Sequence, residues 1–318
     1  MMRTITIIVP VYNEEPNIDL IYGRICAVFE GALARYQLEL IFSDNASSDG
    51  SFERIRLLAA KDARVRGIRL SRNFGFQANI LSGLVNAAGD AVVQLDADGE
   101  DPPEVLPSLV AKWEEGFDVV YGIRTNRQES ALLTFQRKLF YRLLKAVADI
   151  HVPVDAGDFR LIDRRVVRVL RERFKEHNPY LRGLISFAGF RQAGVPYARD
   201  ARTMGVSKFS FWSYMSLAFD ALTSFSRLPL RLVSFIGVLI SMLSFVALIC
   251  YMILYFAGMI PVRGFATLIL VMLLAGGLQL LSLGVVGEYI CRIFDEVKAR
   301  PRTIVADSCG FKEEPRET

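Results

Sequence analysis

Cysteine, histidine and tryptophan are scarce in this sequence: its 318 residues hold four, two and two of them. Cys26, Cys250, Cys291 and Cys309 stand far apart with no C-x-x-C spacing, which argues against both a disulfide scaffold and a zinc site. They read as reduced thiols of a protein facing the cytosol. His151 and His177 are equally isolated, outside any metal spacing or triad context. Neither a G-x-G-x-x-G turn nor a Walker lysine loop occurs, so phosphates must be held by other means. The first apolar stretch, Thr4–Pro10, is short, β-branched and followed at once by Asn13-Glu14-Glu15, so it is not expected to act as a signal peptide. Internal repeats and low-complexity tracts are missing too. With 52% hydrophobic and 23% charged residues, disorder and a collagen-like fibre are excluded.

Charge is absent from two long runs. Leu232–Val262 spans 31 uncharged residues and Gly264–Gly287 another 24, with only Arg263 between them. Each exceeds the roughly 20 apolar residues that cross a bilayer. Arg227 and Arg231 precede the first run and Arg292, Lys298, Arg300 and Arg302 follow the second, so the positive-inside rule places both ends in the cytoplasm. The expected layout is a water-soluble domain over residues 1–228, a two-helix transmembrane anchor over 229–292 and a cytoplasmic tail over 293–318, flexible beyond Pro301. A net charge of only +4, with basic residues beside the bilayer, points to anionic lipid headgroups and away from nucleic acid. A small two-span anchor gains area by self-association, so a homo-oligomer is expected.

What the first half does contain is alternation. Short β-branched runs at Thr4–Val9, Leu38–Ser43, Val65–Leu70, Ala91–Leu95 and Val119–Gly122 are separated by helical-period segments such as Asn17–Leu33, Phe52–Lys61 and Gln77–Ala87. This is the pattern of an α/β domain with a largely parallel sheet. Polar clusters follow the strands: Tyr12–Glu15, Asp44–Gly50, Ser71–Gly75 and Asp96–Asp101. In an open α/β sheet ligands bind at the carboxyl ends of strands, so the four clusters can converge on one crevice. Beyond residue 125 the pattern becomes basic and amphipathic, notably in Leu132–Val147 and Phe209–Phe225. Such segments either lie in the bilayer surface or pack their apolar faces on the domain core. The run Arg164, Arg165, Arg168, Arg171, Arg173 reads as a solvated helix face that would also suit a nearby membrane.

Within the clusters, Asp96-x-Asp98 places two carboxylates at the end of a buried strand. Mg²⁺ or Mn²⁺ held by one or two carboxylates commonly completes its shell with a substrate diphosphate, which is one way to bind a nucleotide without a glycine loop. Asp101, before Pro102-Pro103, reads most simply as a helix N-cap. Asp44 and Asp49 serve equally as turn or cap residues, yet Asp44 ends a strand where a carboxylate can accept a nucleobase N–H. Tyr12 and Glu14 add an aromatic face and a polar group.

Taken in order, Val9-Pro10-Val11-Tyr12-Asn13-Glu14-Glu15, Asp44–Gly50, Ser71–Gly75, Asp96-Ala97-Asp98 with Asp101-Pro102-Pro103, and Ala156-Gly157-Asp158-Phe159-Arg160 resemble the inverting family-2 glycosyltransferases that load a sugar onto a polyprenyl phosphate. Dolichyl-phosphate mannose synthase and the bactoprenol glucosyltransferases are of this kind, and the likeness covers nearly the whole chain. It implies a GT-A fold, Rossmann-like with a largely parallel sheet, and a bacterial inner-membrane enzyme whose partners are a nucleotide sugar, a polyprenyl phosphate and the bilayer. Carried over residue by residue, it implies that Pro10, Tyr12, Glu14 and Asp44 line the nucleotide pocket, with Asp96 and Asp98 facing the metal and diphosphate. Asp158 matches the position assigned to the sugar or reacting centre. Arg124, Arg202, Ser207 and Lys208 correspond to groups that hold donor and acceptor phosphates. Many members have Gln where this chain has Glu100, and the added carboxylate either tightens metal binding or repels the diphosphate.

Apart from the likeness, the chemistry is coherent. A polyprenyl phosphate is already ionised near neutral pH and attacks without a strong general base, so catalysis is a matter of charge management. Asp158 would orient a sugar hydroxyl or the nucleophile, or else form an internal ion pair with Arg160. A processive polysaccharide synthase would carry Q-x-x-R-W, and neither Trp113 nor Trp212 is preceded by Gln-x-x-Arg. A non-catalytic membrane scaffold is the third reading, and the intact Asp96, Asp98 and Asp158 argue against it.

Overall fold

The computed structural model describes residues 2–125, 156–174, 176, 180–199, 228–257 and 264–316. Arg202, Ser207, Lys208 and the amphipathic segments 132–147 and 209–225 lie outside the described residues. Two compact units divide the chain: one contains the residues before 211, apart from 146–149, together with those from Arg300 onward, and the other contains the two long helices.

The first unit is built on an eight-stranded sheet in the order β7-β5-β6-β4-β1-β2-β3-β8. Its parallel centre comprises β1 (Thr4–Val11), β2 (Gln37–Asp44), β3 (Val65–Leu70) and β4 (Ala91–Gln94). All but the first residue of β1 are buried, as expected of a strand covered by helices on both faces. The crossovers are α1 (Glu15–Glu30), α2 (Ser51–Lys61) and α3 (Phe76–Asn86). In α1, Pro16 stands in the first turn, where its missing N–H costs nothing, and Ile18, Ile21, Ile25 and Phe29 repeat at helical spacing on the buried face. A 3-10 turn at Pro103–Val105 leads into α4 (Leu106–Glu114), which buries Leu106, Leu109, Val110 and Trp113.

Beyond β4 the sheet changes direction. Strand β5 (Val119–Arg124) pairs antiparallel with β6 (Ala156–Asp163), which in turn runs antiparallel to β4, while β7 (Gln192–Tyr197) is parallel to β5. Because β6 runs backwards, its first residues rather than its last reach the carboxyl end of the sheet. The β4–β6 register pairs Gln94 with Arg160, and continued two residues past the ladder it sets Asp158 opposite Asp96. Helices α5 (Arg164–Arg173) and α6 (Leu181–Phe187) follow β6. Asp163 caps α5 by accepting from the Arg165 amide, and the arginines of α5 are exposed.

The tail is ordered, contrary to the expectation of flexibility. Strand β8 (Val305–Cys309) adds antiparallel to β3 at the sheet edge. Val305 and Phe311 pack on the cluster of Ile41, Ile68 and Leu70, Asp307 ion-pairs with Arg56 at 2.5 Å, and the Arg316 amide donates to Asn86 at 2.7 Å. The edge of β3 needs a partner, and the segment after the apolar runs supplies it.

The second unit consists of α7 (Leu228–Phe256) and α8 (Phe265–Lys298), which pack on each other. Large apolar side chains such as Phe235, Met242, Phe245, Leu274 and Leu280 are exposed on them. Among the described residues one stretch, Leu274–Lys298, is long and apolar enough to cross a membrane by length and composition.

Candidate active site

Three of the four polar clusters predicted at the strand ends, those after β1, β2 and β3, come together through a chain of side-chain hydrogen bonds. Asn13 adopts the left-handed conformation at φ 57°, and its Oδ1 accepts from the Ser48 amide at 2.8 Å while its own amide donates to Ser47 Oγ at 2.9 Å. Asparagine tolerates this backbone better than other side-chain-bearing residues. Asp49 accepts from the amides of Ser51 and Glu15, and Asn45 bonds Asn73 at 2.9 Å and the Phe74 amide at 2.9 Å. The loops after β1, β2 and β3 are thereby one hydrogen-bonded unit.

In that unit Pro10 is buried, Tyr12 is 41% exposed, and Glu14 accepts from Asn17 Nδ2 at 2.7 Å. Asp44 is fully buried. Burial pushes its carboxyl above the usual range, against the hydrogen bonds from Ser47 and the guanidinium of Arg69, whose Nε is 3.6 Å away. In this arrangement Asp44 holds the loop after β2 in shape, as its turn reading anticipates.

The acidic loop after β4 has the opposite character. Asp96 carries a carboxylate oxygen, Oδ1, that is enclosed and has no hydrogen-bond partner. Burial, reinforced by the neighbouring carboxylates of Asp101, Asp158 and Asp98, pushes its pKa up to about 8. A buried acceptor without a donor is costly unless a positive charge arrives. Asp98 Oδ1 accepts from the Glu100 amide at 3.1 Å, which shapes the turn beside it. Among the described residues no group of three or more His, Cys, Asp or Glu side chains is placed to hold a metal. The partnerless Asp96 oxygen is an acceptor of the kind a hard divalent cation takes.

Asp101 is no helix cap. The 3-10 turn begins after it without a side-chain cap, and the carboxylate is 1% exposed at the centre of a polar network. Tyr197 Oη donates to it at 2.5 Å, Arg124 Nη2 at 3.5 Å, and Arg124 Nε donates to Tyr197 Oη at 3.2 Å. Burial opposes the charge on Arg124, yet the Asp101 carboxylate and Tyr197 hold it firmly protonated. Gly122 makes room for this: a Cβ there would sit 2.5 Å from the Tyr197 ring and 3.2 Å from Phe159. The two rings meet edge to face with centroids 5.5 Å apart, a contact of roughly 1 kcal/mol.

Asp158 is gripped by Arg182 of α6 through hydrogen bonds of 2.7 and 2.5 Å. Arg160 also stands near it, 3.6 Å away, so the alternative Asp158–Arg160 pair is present as the longer of the two. Arg160 instead donates to the Gly157 carbonyl at 2.8 Å, and burial lowers its pKa to about 10. Burial opposes ionisation of Asp158 as well, but the guanidinium of Arg182, with help from Arg160 and Arg124, holds the carboxyl below its ordinary value. The sequence reading missed Arg182, Tyr197, the ion pair of Arg199 with Glu100, and the role of Asp101. The available signal was a single arginine inside the apolar helical run Leu181–Ile185.

A strand order with antiparallel β6 inserted beside a parallel centre, and acidic residues at the carboxyl edge, is a GT-A-like α/β arrangement, the architecture of a sugar-transferring enzyme. The profile of glycosyl transferase family 2 matches residues 6–171, and the chain belongs to that family. It is 42% identical to the Bacillus subtilis (strain 168) protein named uncharacterized glycosyltransferase YkcC, over 96% of this chain and 94% of that one. The SfII prophage-derived bactoprenol glucosyl transferase of Shigella flexneri is 38% identical over 96% of this chain and 98% of its own. Among solved structures, the mannosyltransferase PcManGT from Pyrobaculum calidifontis, in complex with GDP-Man and Mn²⁺, is 21% identical with a TM-score of 0.47, covering 67% of this chain and 60% of that one.

Proposed function

We propose that this glycosyltransferase moves a single hexose from a nucleotide-diphosphate sugar, UDP-glucose before GDP-mannose, onto a polyprenyl phosphate with inversion at the anomeric carbon. The observation that carries the reading is the orphaned Asp96 oxygen, set among Asp98, Asp101 and the Arg182-held Asp158. The bactoprenol glucosyl transferase named above supports the lipid acceptor and the glucosyl donor.

In this scheme a phosphate oxygen of the lipid attacks the anomeric carbon as the bond to the nucleotide diphosphate breaks. The attacking oxygen is already deprotonated, so no base is required. Asp96 and Asp98 would hold Mg²⁺ or Mn²⁺, which supplies neutralising charge for the leaving diphosphate when bound. Asp158, kept ionised, orients a sugar hydroxyl at the reacting centre. Arg124, with Arg202, Ser207 and Lys208, holds the phosphates, Arg by a planar fork and Lys as a point charge. Pro10, Tyr12, Glu14 and Asp44 form the nucleotide side, with Asp44 stiffening its wall.

Connectivity supports a membrane anchor. The chain up to Ser210 and from Arg300 onward, apart from 146–149, belongs to one sheet-bearing unit, so an anchor between them would cross a membrane an even number of times. With α7 at 29 residues and α8 at 34, both long enough to span, two crossings fit, with the catalytic domain and both ends cytoplasmic at a bacterial inner membrane. Self-association of so small an anchor makes the protein a homo-oligomer.

The test is transfer of labelled sugar by the full chain in detergent with Mn²⁺, across a panel of UDP- and GDP-sugars and one polyprenyl phosphate. One sugar per lipid, with UDP-glucose the best donor, is expected. Growth of the product into a polymer, or no lipid product with any donor, would overturn the proposal.

A further inference from the structure

Three arginines surround the Gly157–Asp158 step at the start of β6, and they differ in what can reach them. Arg124 lies against Gly157, where an added Cβ would stand 3.5 Å from its Nε, and Arg182 grips the Asp158 carboxylate. Their side chains are 20% and 26% exposed, so a substrate oxygen can approach them. Arg160 is closed off. Its side chain is 5% exposed, and one nitrogen, Nη2, both donates to the Gly157 carbonyl at 2.8 Å and stands 3.6 Å from Asp158 Oδ1.

The rest of its surroundings offer the guanidinium little. Among the described residues Arg160 Nε is enclosed without a hydrogen-bond partner. Directly opposite on β4, Gln94 has an enclosed amide nitrogen that is equally unpartnered, and neither of these nitrogens can accept from the other. A charge kept in such a place is costly, and an apolar side chain of similar volume would serve the packing at least as well. What offsets it lies two residues back along the strand, at the rung where Asp158 stands opposite Asp96.

We propose that Arg160 is a positioning residue: from inside the sheet it fixes the Gly157 carbonyl and the Asp158 carboxylate together, while the more exposed Arg124 and Arg182 stay within reach of substrate. The inference rests on the glycosyl-transfer reading of the site and adds to it a residue that no substrate touches. Losing Arg160 therefore leaves substrate binding intact and slows the step in which Asp158 takes part.

The test uses the full chain with R160M, R160K, D158N and D158N/R160M. R160M is expected to melt no lower than wild type, because methionine fills the space without a buried charge. Its kcat should fall about tenfold, the scale of one lost charge-assisted contact, with the KM for donor and acceptor within about twofold. R160K keeps the charge and should regain part of the kcat. In D158N, which has no carboxylate left to hold, adding R160M should change kcat by no more than about twofold. A wild-type kcat in R160M, a rise in KM instead, an R160K no better than R160M, or single effects that multiply in the double would each overturn the proposal. An R160M that melts well below wild type would make Arg160 part of the packing and overturn it too. Melting temperatures also judge the contact without any acceptor: R160M should raise the value more in D158N than in wild type, since Asp158 no longer offsets the guanidinium, and equal shifts refute the pairing. A wild-type protein that transfers nothing to polyprenyl phosphate would refute the acceptor reading, while the melting cycle still judges Arg160.

Discussion

Arg182 and Asp158 meet side by side, Nε to Oδ1 at 2.7 Å and Nη2 to Oδ2 at 2.5 Å, joining α6 to the first residues of β6. A fork-to-fork pair of this kind fixes orientation as well as charge. It keeps ionised a carboxylate that its buried surroundings would otherwise protonate.

The consequence is a pH effect. With Asp158 held low by Arg182, its charge persists until the pH falls through that depressed value, and the stability it contributes is full above the ordinary carboxyl value and lost as the pH falls from there through the depressed one. Arg182→Gln removes the main opposing influence, so the Asp158 pKa rises. Activity should fall on the order of a hundredfold at neutral pH, and the acid limb of the kcat/KM profile should move to higher pH. An acid limb unchanged from wild type would show that Arg182 does not tune Asp158.

Asp96 predicts an exchange of stability for function. Its pKa of about 8 lies above the unfolded value, so in metal-free protein its ionisation costs stability increasingly as pH rises from about 4 to about 8. Asp96→Asn should therefore melt higher than wild type at pH 8 without metal, by roughly 2–4 °C for each kcal/mol regained, and the gain should vanish near pH 4. The same variant, and Asp98→Asn, should lose Mn²⁺-dependent UDP binding and at least about a hundredfold in turnover. Calorimetry at the two pH values, with and without Mn²⁺, checks both halves.

Tyr197→Phe deletes one hydroxyl that serves Asp101 and Arg124 together. The buried Asp101 then loses a donor contact of 2.5 Å, at a cost of about 1–3 kcal/mol. Arg124 loses its support as well, and turnover should drop about tenfold with little change in donor KM. Gly122→Ala should give a similar result by pushing the Tyr197 ring aside. Wild-type kinetics in either variant would remove Arg124 from the phosphate-holding role.

Removing the chain after Pro301 strips β8 from β3 and uncovers Ile68 and Leu70. The loss should lower the melting temperature and promote association through the exposed edge, seen as early-eluting material in size exclusion. A truncated protein as stable and monodisperse as the full chain would show that β8 contributes nothing to the fold.

Local signals made much of this protein legible. The β-branched runs of β1 to β5 and the helical spacing in α1, α2 and α3 match the structure to within a few residues, because strands buried on both faces and amphipathic helices leave periodic marks. Asp96 and Asp98 were readable as strand-end acids. Strand β6 was not, since its charged residues Asp158, Arg160 and Asp163 disguise a buried strand whose partners come from both sides. Strand β8 was hidden for a different reason, being a short polar segment that acquires its role only by pairing with residues well over two hundred positions earlier.

The sequence alone determined the class of fold, the apolar runs and the acids at the strand ends, since each depends on neighbours within a few residues. Tertiary structure decided which arginine serves which carboxylate: Arg182 for Asp158, Arg124 for Asp101, Arg199 for Glu100. Those pairings depend on distance and burial in space, and residues that lie more than twenty positions apart carry no local sign of them.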